Sequence, residues 1–238
     1  MNIALIFAGG SGSRMNTVSK PKQFLELHGK PVIAYTLELF ENHKDIDGII
    51  VVCIKEWIQY LNILLKRFDM TKVKEIVAGG DTGQESIYNG LTAATRHYPP
   101  DSTVLVHDGV RPLINDATIT DNIQTVREKG SCITCIPASE TFVVVNGADS
   151  SLQIPDRKNS LIARAPQSFI LADIWEVHRK AKAQGKQFID SCTMMNYYGK
   201  KLATVIGPAE NIKITTPTDF YIFRALIEIR ENRQIFGL

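Results

Sequence analysis

Residues 1–24 read MNIALIFAGGSGSRMNTVSKPKQF, and the nature of this stretch decides the fold. An apolar run from Ile3 to Phe7 opens straight into Gly9, Gly10 and Gly12, and Arg14 and Lys22 follow. A secretory signal needs a basic leading region and a longer apolar core. This segment has neither, so it is read as a buried strand. Beyond a strand, glycines let the backbone bend tightly and bring N–H groups against phosphate oxygens. Arg14 and Lys22 would add charge-assisted contacts to a polyphosphate. The loop matches neither the P-loop pattern nor the dinucleotide G-x-G-x-x-G spacing, and no acidic residue caps the next strand-like run, GIIVVCI at 48–54. By itself it also fits an ordinary strand-to-helix turn.

Outward from this stretch, short apolar runs alternate with segments of helical periodicity. Residues 48–54, 74–79, 103–109 and 131–138 read as further strands, most of them nearly continuous in apolar residues. Such strands are buried on both faces, as in a parallel sheet. Between them, residues 32–43, 57–68, 85–97 and 117–130 carry apolar side chains at helical spacing. This alternation predicts a wound α/β sheet, mostly parallel, with helices on both faces. Ligands of such sheets sit beyond the C-terminal ends of the strands. The rhythm breaks after Pro137, where ETFVVVNGADSSLQIP (140–155) places Asn146-Gly147 between extended segments, a hairpin signal. It resumes at ADIWEVHRKAKAQG (172–185) and LATVIGPAENIKI (202–214) and ends in an amphipathic helix from Thr218. The expected organisation is a single domain over residues 1–238 with a β-arm inserted at about 138–162.

Composition sets few limits. The 238 residues are 44% hydrophobic and 22% charged with a net charge of +2, which does not argue for a nucleic-acid or membrane surface. No apolar stretch reaches the roughly 18 residues of a membrane span. Of four cysteines, Cys132 and Cys135 form a C-x-x-C inside an apolar run. With no second such pair, buried free thiols in a reducing cytoplasm are expected rather than zinc or a redox couple.

Three further loops carry chemistry. VHDGVRP (106–112) ends a strand with His107, Asp108 and Arg111. Asp108 is placed to hold a metal ion or a substrate hydroxyl and Arg111 a phosphate. An ion pair within the loop is the plain alternative, and His107 reads as a packed residue rather than a catalyst. AGGDTGQESI (78–87) is a second glycine loop leading into a helix, with Gly79, Gly80, Asp81 and Ser86. Its backbone could read a base edge, or it could be a simple β-α turn. In AENIKITTPTD (209–219), Lys213 sits on a short β-prone run before the last helix. Each loop is ambiguous alone, but all would fall at one end of a parallel sheet.

In order along the chain, AGGSGSRM, PKQF, GGD…S, HDGVRP, DR…APQSF and NIKITTP resemble the cytidylyltransferases that activate polyol phosphates. That family contains the methylerythritol-phosphate enzyme of isoprenoid synthesis and the ribitol-5-phosphate enzyme of teichoic-acid and capsule synthesis. The resemblance implies a Rossmann-like nucleotidyltransferase fold, a homodimer clasped through the arms, and CTP with Mg²⁺. It assigns a CTP loop to Ala8, Gly9, Gly10 and Gly12 through Arg14, with Arg14, Lys22 and Lys213 as catalytic cations. It implies that Gly80, Asp81 and Ser86 read cytosine and ribose. Asp108 and Arg111 would form the substrate and metal loop. Thr141 and Arg157 would come from the neighbouring subunit to hold the substrate phosphate.

Two positions depart from the pattern. Gly83 stands where the second glycine loop usually has arginine, and Ala165 where the family often has threonine. AGG, PKQF, HDGVRP, Lys55-Glu56-Trp57 and Asp190-Ser191-Cys192 lean toward the ribitol-phosphate branch. Methylerythritol phosphate is the alternative acceptor. A nicotinamide-dependent reductase, a hexose-1-phosphate nucleotidyltransferase and a non-catalytic nucleotide-binding module are the competing readings.

Overall fold

The computed structural model describes residues 1–10, 20–147 and 151–236. The opening run forms β1 (Asn2–Ala8). A short hairpin, β2 (Glu26–Leu27) and β3 (Lys30–Pro31), leads into α1 (Val32–Asn42). Then follow β4 (Gly48–Cys53), α2 (Ile58–Arg67), β5 (Val73–Ala78), α3 (Gly83–His97), β6 (Thr103–Asp108), α4 (Asp116–Lys129) and β7 (Ser131–Pro137). After the arm strands β8 (Val144–Val145) and β9 (Leu152–Gln153) come β10 (Leu161–Ile170), α5 (Leu171–Ala183), α6 (Ser191–Tyr197), β11 (Ala203–Ile206) and α7 (Pro217–Phe236).

The main sheet has seven strands in the order β11-β7-β10-β6-β1-β4-β5. β1 pairs parallel with both β4 and β6, and β10 runs antiparallel between β6 and β7. The two-residue period of a strand sorts the core into two layers. Ile3, Leu5, Ile50, Val52, Val104 and Val106 face a layer completed by α3, α5 and α6. Ala4, Ile6, Ile49, Val51 and Leu105 face the other layer, built on α1, α2 and α4. Gly90 lets α3 approach the sheet, since a Cβ there would lie 2.7 Å from Val52 and 3.0 Å from Leu5.

β10 was not legible as a strand, because Arg164 and Pro166 sit inside it and proline is excluded from the middle of a ladder. The structure admits Pro166 where the pairing with β7 shifts register between Ala163 and Gln167. The expected hairpin is present, with Val144 opposite Gln153 and Val145 opposite Leu152. Asn146 and Gly147 open a longer loop, closed by the Asn146 N–H on the Ser151 carbonyl at 3.0 Å, rather than making the whole turn. Phe142, Val144, Val145, Leu152 and Ile154 on this arm are exposed. The segment around Lys213, expected as a strand, is a loop tied to the core by the Ile214 N–H on the Val110 carbonyl at 2.9 Å. Among the described residues no helix is long and apolar enough to cross a membrane. Cys132 and Cys135 are buried free thiols on β7, and burial pushes the Cys132 thiol up to about 12.

Of the buried histidines, His107 and His178 are held neutral by burial. His107 packs against Phe40, its Nε2 lies 3.1 Å from the Arg111 carbonyl, and burial pushes its pKa down to about 4. His178 on α5 is likewise pushed down by burial to about 4. Folded pKa values below the unfolded one of 6.5 give stability that is complete above pH 6.5 and lost as pH falls toward 4. Between pH 7.5 and pH 5, urea unfolding is expected to show a decline, of which His178→Leu removes about 2 kcal/mol. An unchanged pH dependence in that variant would show that the ring protonates as readily folded as unfolded.

Candidate active site

The C-terminal ends of β1, β5 and β6 carry their loops to the same end of the sheet, as the parallel pairing of β1 with β4 and β6, and of β4 with β5, requires. The loop after β1 is described as far as Gly10, and Gly12 and Arg14 lie outside the described residues. Gln23, almost fully buried in the turn Lys22–Phe24, holds this loop by donating from Nε2 to the Ala8 carbonyl at 2.7 Å. Gln23 was not singled out from the sequence. The signal was the glutamine of PKQF, a polar residue followed by an apolar one that has to be buried. Lys22 lies in the same turn, half-buried.

The glycine loops after β1 and β5 meet over Ser86. A Cβ on Gly9 or on Gly79 would lie 3.0 Å from the Ser86 Oγ, a contact tighter than side chains usually make, so glycine eases both approaches. The Ser86 hydroxyl accepts from the Gly80 N–H at 3.1 Å and is buried. Thr82 caps α3 by accepting from the Glu85 N–H at 3.1 Å, and Glu85 reaches back to the Asp81 N–H at 3.0 Å. This reciprocal arrangement is a capping box shifted by one residue. It leaves the Asp81 side chain exposed beside the loop. Gly83 begins α3, and a Cβ there meets nothing within 4 Å, so packing does not demand glycine at this departure from the family pattern.

At the end of β6, Asp108 is the electrostatic centre. One carboxylate oxygen accepts from the Arg111 Nε at 2.7 Å, and the other lies 2.6 Å from the Lys213 Nζ. Burial alone would raise the Asp108 carboxyl, but the Lys213 and Arg111 charges outweigh it and hold it below the ordinary carboxylate range. The ion pair expected as the plain reading of this loop therefore exists, and it is part of a larger constellation. Arg111 also donates from Nη1 to the Asn211 carbonyl at 2.9 Å, and the buried Asn211 donates to the Ala165 carbonyl at 2.7 Å. Asn211 thus ties the Lys213 loop to β10. Beyond Lys213, Asp219 accepts from the N–H groups of Thr215 and Thr216 at 2.8 Å each and fixes the start of α7. Val110, Leu113, Ile214 and Phe223 pack beneath as a small apolar cluster.

These groups face a cavity of about 320 Å³. Asp108, Arg111, Arg164, Gln167, Asp190 and Lys213 give it polar walls, and Ile87, Val106, Phe188 and Met194 apolar ones. Thr141 and Arg157 do not line it. Arg157 lies at the base of the arm, where its Nη1 donates to the Ser139 carbonyl at 3.2 Å.

Magnesium was expected on Asp108. Both of that carboxylate's oxygens already serve cations, and among the described residues no three His, Cys, Asp or Glu side chains cluster to hold a metal. A dication placed there would be repelled by Arg111 and Lys213 at close range. The donor set does not fit a protein-held metal at Asp108.

What the arrangement can do is bind anions. Arg111, Arg164 and Lys213 outnumber the two carboxylates on its walls, Asp108 and Asp190, in a partly desolvated pocket, where charges act more strongly than in water. Comparisons with known proteins place the geometry. The family model described as IspD, 2-C-methyl-D-erythritol 4-phosphate cytidylyltransferase, matches residues 2–229. A ribitol-5-phosphate cytidylyltransferase of Streptococcus agalactiae serotype V is 54% identical over 239 residues, covering 100% of both chains. The enzyme of that name from Vibrio parahaemolyticus is 55% identical over 238 residues, again covering 100% of both. Among solved structures, the 4-diphosphocytidyl-2C-methyl-D-erythritol synthase of Anaerococcus prevotii superposes with a TM-score of 0.81 at 28% identity, covering 95% of each chain. A sheet of this order, its glycine loops meeting over Ser86, and a match along nearly the whole sequence lead to one conclusion: the chain belongs to the IspD family of cytidylyltransferases.

Proposed function

We propose that this protein transfers CMP from CTP to D-ribitol 5-phosphate, giving CDP-ribitol and pyrophosphate. The observation that carries the choice of acceptor is the end-to-end likeness to the two ribitol-5-phosphate enzymes, at 54–55% identity against 33–35% for curated 2-C-methyl-D-erythritol 4-phosphate cytidylyltransferases of Clostridium botulinum. The geometry supports the reaction type. A phosphate oxygen of the polyol phosphate attacks the α-phosphorus of CTP, a new P–O bond forms, and the bond to pyrophosphate breaks. A phosphate monoester is already largely ionised at neutral pH, with its second pKa about 6. No general base is needed, and although Ser191, His178 and Asp190 all line the cavity, neither the His178 ring nor the Ser191 hydroxyl has a hydrogen-bond partner among the described residues. His107 is engaged with backbone and held neutral, in keeping with its reading as a packed residue.

The obstacle is repulsion between two anions, so catalysis rests on positioning and electrostatic stabilisation. In this reading Lys213 bridges the α-phosphate and the incoming phosphate while Asp108 holds its ammonium in place. Arg14 and Lys22 steady the triphosphate and the leaving group. Gly9 and Gly10 present backbone N–H groups to it, and Gly80, Asp81 and Ser86 frame the nucleoside. Magnesium, as counter-ion of the bound nucleotide, would neutralise part of the triphosphate's charge. The exposed apolar arm supports a homodimer in which Thr141 and Arg157 reach the neighbouring subunit's substrate phosphate. The buried free cysteines fit a reducing cytoplasm.

The test is pyrophosphate release with MgCTP, offering ribitol 5-phosphate and methylerythritol 4-phosphate in parallel. Ribitol 5-phosphate is expected to be strongly preferred. Preference for methylerythritol 4-phosphate would assign the chain to the other branch of its family.

A further inference from the structure

Arg164 is the cation in this cavity whose presence the fold alone does not explain. It lies on β10, which is flanked by β6 and β7, within the stretch from Ala163 to Gln167 where the register with β7 shifts. A guanidinium in an interior strand of a sheet is costly unless it is paired. Yet the Arg164 Nε is buried with no acceptor, and Arg164 forms no ion pair among the described residues. Of the two carboxylates on the cavity wall, Asp108 is committed at both oxygens to Arg111 and Lys213. Asp190, the other, caps α6 by accepting from the Thr193 N–H at 2.8 Å. Gln167, three residues along β10, uses its side-chain oxygen to accept from the Cys192 N–H at 2.9 Å. Burial and the Arg111 charge both push the Arg164 guanidinium below its ordinary value.

The cavity beside it has both apolar and polar walls. Ile87, Val106, Phe188 and Met194 offer an apolar surface to carbon, and the polar groups opposite offer hydrogen bonds to oxygen. Lys213, whose side chain is 38% exposed, stands at the open side where the reacting phosphates must meet. The Arg164 Nε is buried. We infer that Arg164 is a specificity-determining residue that donates hydrogen bonds to hydroxyl oxygens of the polyol chain, remote from the phosphate. This rests on the proposed polyol-phosphate acceptor. A site that leaves a buried donor unpaired selects against acceptors lacking the matching oxygen, because the desolvation of the donor is then uncompensated.

The test is steady-state kinetics of Arg164→Met and Arg164→Lys at saturating MgCTP. The probes are D-ribitol 5-phosphate and glycerol 3-phosphate, the latter as a competitive inhibitor if its turnover is too slow to follow. Glycerol 3-phosphate keeps the phosphate and shortens the hydroxyl chain. Arg164→Met is expected to lower kcat/KM for ribitol 5-phosphate by roughly 10- to 100-fold, the range for a charged hydrogen bond. It should leave the KM for CTP and the affinity for glycerol 3-phosphate unchanged. Arg164→Lys should recover part of the loss, since it restores a charge and a donor but not the planar fork. Equal losses on both polyol phosphates would overturn the inference and make Arg164 a phosphate ligand or a structural residue. Undiminished use of ribitol 5-phosphate would overturn it as well. The wild type, assayed alongside with methylerythritol 4-phosphate, separates the two proposals. If that acceptor is preferred, the choice of ribitol fails, and the Arg164 inference is decided by the same ratio measured between methylerythritol 4-phosphate and glycerol 3-phosphate.

Discussion

Lys213→Ala is expected to lower kcat by about 10²–10³-fold, the cost of removing one preorganised donor from a developing charge. The side chain is 38% exposed and Asp108 keeps its pairing with Arg111, so the variant should lose less thermal stability than one that removes the carboxylate itself. What the substitution removes is position. The ammonium lies 2.6 Å from Asp108 and over the Phe7 ring at 5.8 Å, which leaves further N–H donors for phosphate oxygens. Because the lysine acts on charge that gathers in the transition state, kcat should fall more than the KM for CTP rises. Single-turnover measurement of pyrophosphate release is the decisive assay. Near-normal turnover would remove Lys213 from the chemistry and leave it as the partner of a structural carboxylate.

Asp108→Asn should be damaging in two ways at once. The carboxylate is almost fully buried, and it is the group that separates the charges of Arg111 and Lys213. Removing one partner of a buried ion pair leaves the other uncompensated and typically costs about 3–5 kcal/mol. Here the neutral amide strands two cations, and Arg164 adds a third charge to the same cavity. Denaturant unfolding at pH 7.5 is therefore expected to show a loss in that range, offset in part as added sulfate or CTP supplies anions. Turnover should fall at least as far as in Lys213→Ala, because Lys213 and Arg111 both lose their anchor. A variant as stable as the parent but inactive would mean that Asp108 acts on substrate rather than on its neighbours. A variant both stable and active would sink the view of Asp108 as the centre of the site.

Much of this architecture is written in local sequence. The apolar run of β1 and the nearly unbroken apolar stretches of β4, β6 and β7 mark strands covered on both faces, and the structure buries them so. The capping signals also work at short range: Thr82 and Glu85 start α3, Asn115 starts α4, and Thr216 with Asp219 starts α7. β10 escaped notice for an equally local reason. Its Arg164 and Pro166 contradict strand propensity, and the contradiction is resolved by a shift of register that only the neighbouring strand reveals. Departures of that kind collect where function is concentrated.

Among the residues of the site, the glycine loops, Asp108 and Arg111 could be found from their places at strand ends. Lys213 drew its weight only from the motif around it. Gln23, Asn211 and Arg164 gave no sufficient sign, since a lone amide or arginine in a sequence does not say what it will meet.

Sequence alone determined that strands and helices alternate, that the strands are buried on both faces, and that the glycine-rich and charged loops follow strands. These properties depend on side-chain period and turn chemistry within a few residues. The tertiary structure decided that β10 runs back between β6 and β7, that Lys213 comes to lie on Asp108, and that Arg164 opens into the cavity without a partner. Each of these depends on the order of strands in the sheet, which joins segments far apart in the chain and leaves no periodic mark on either.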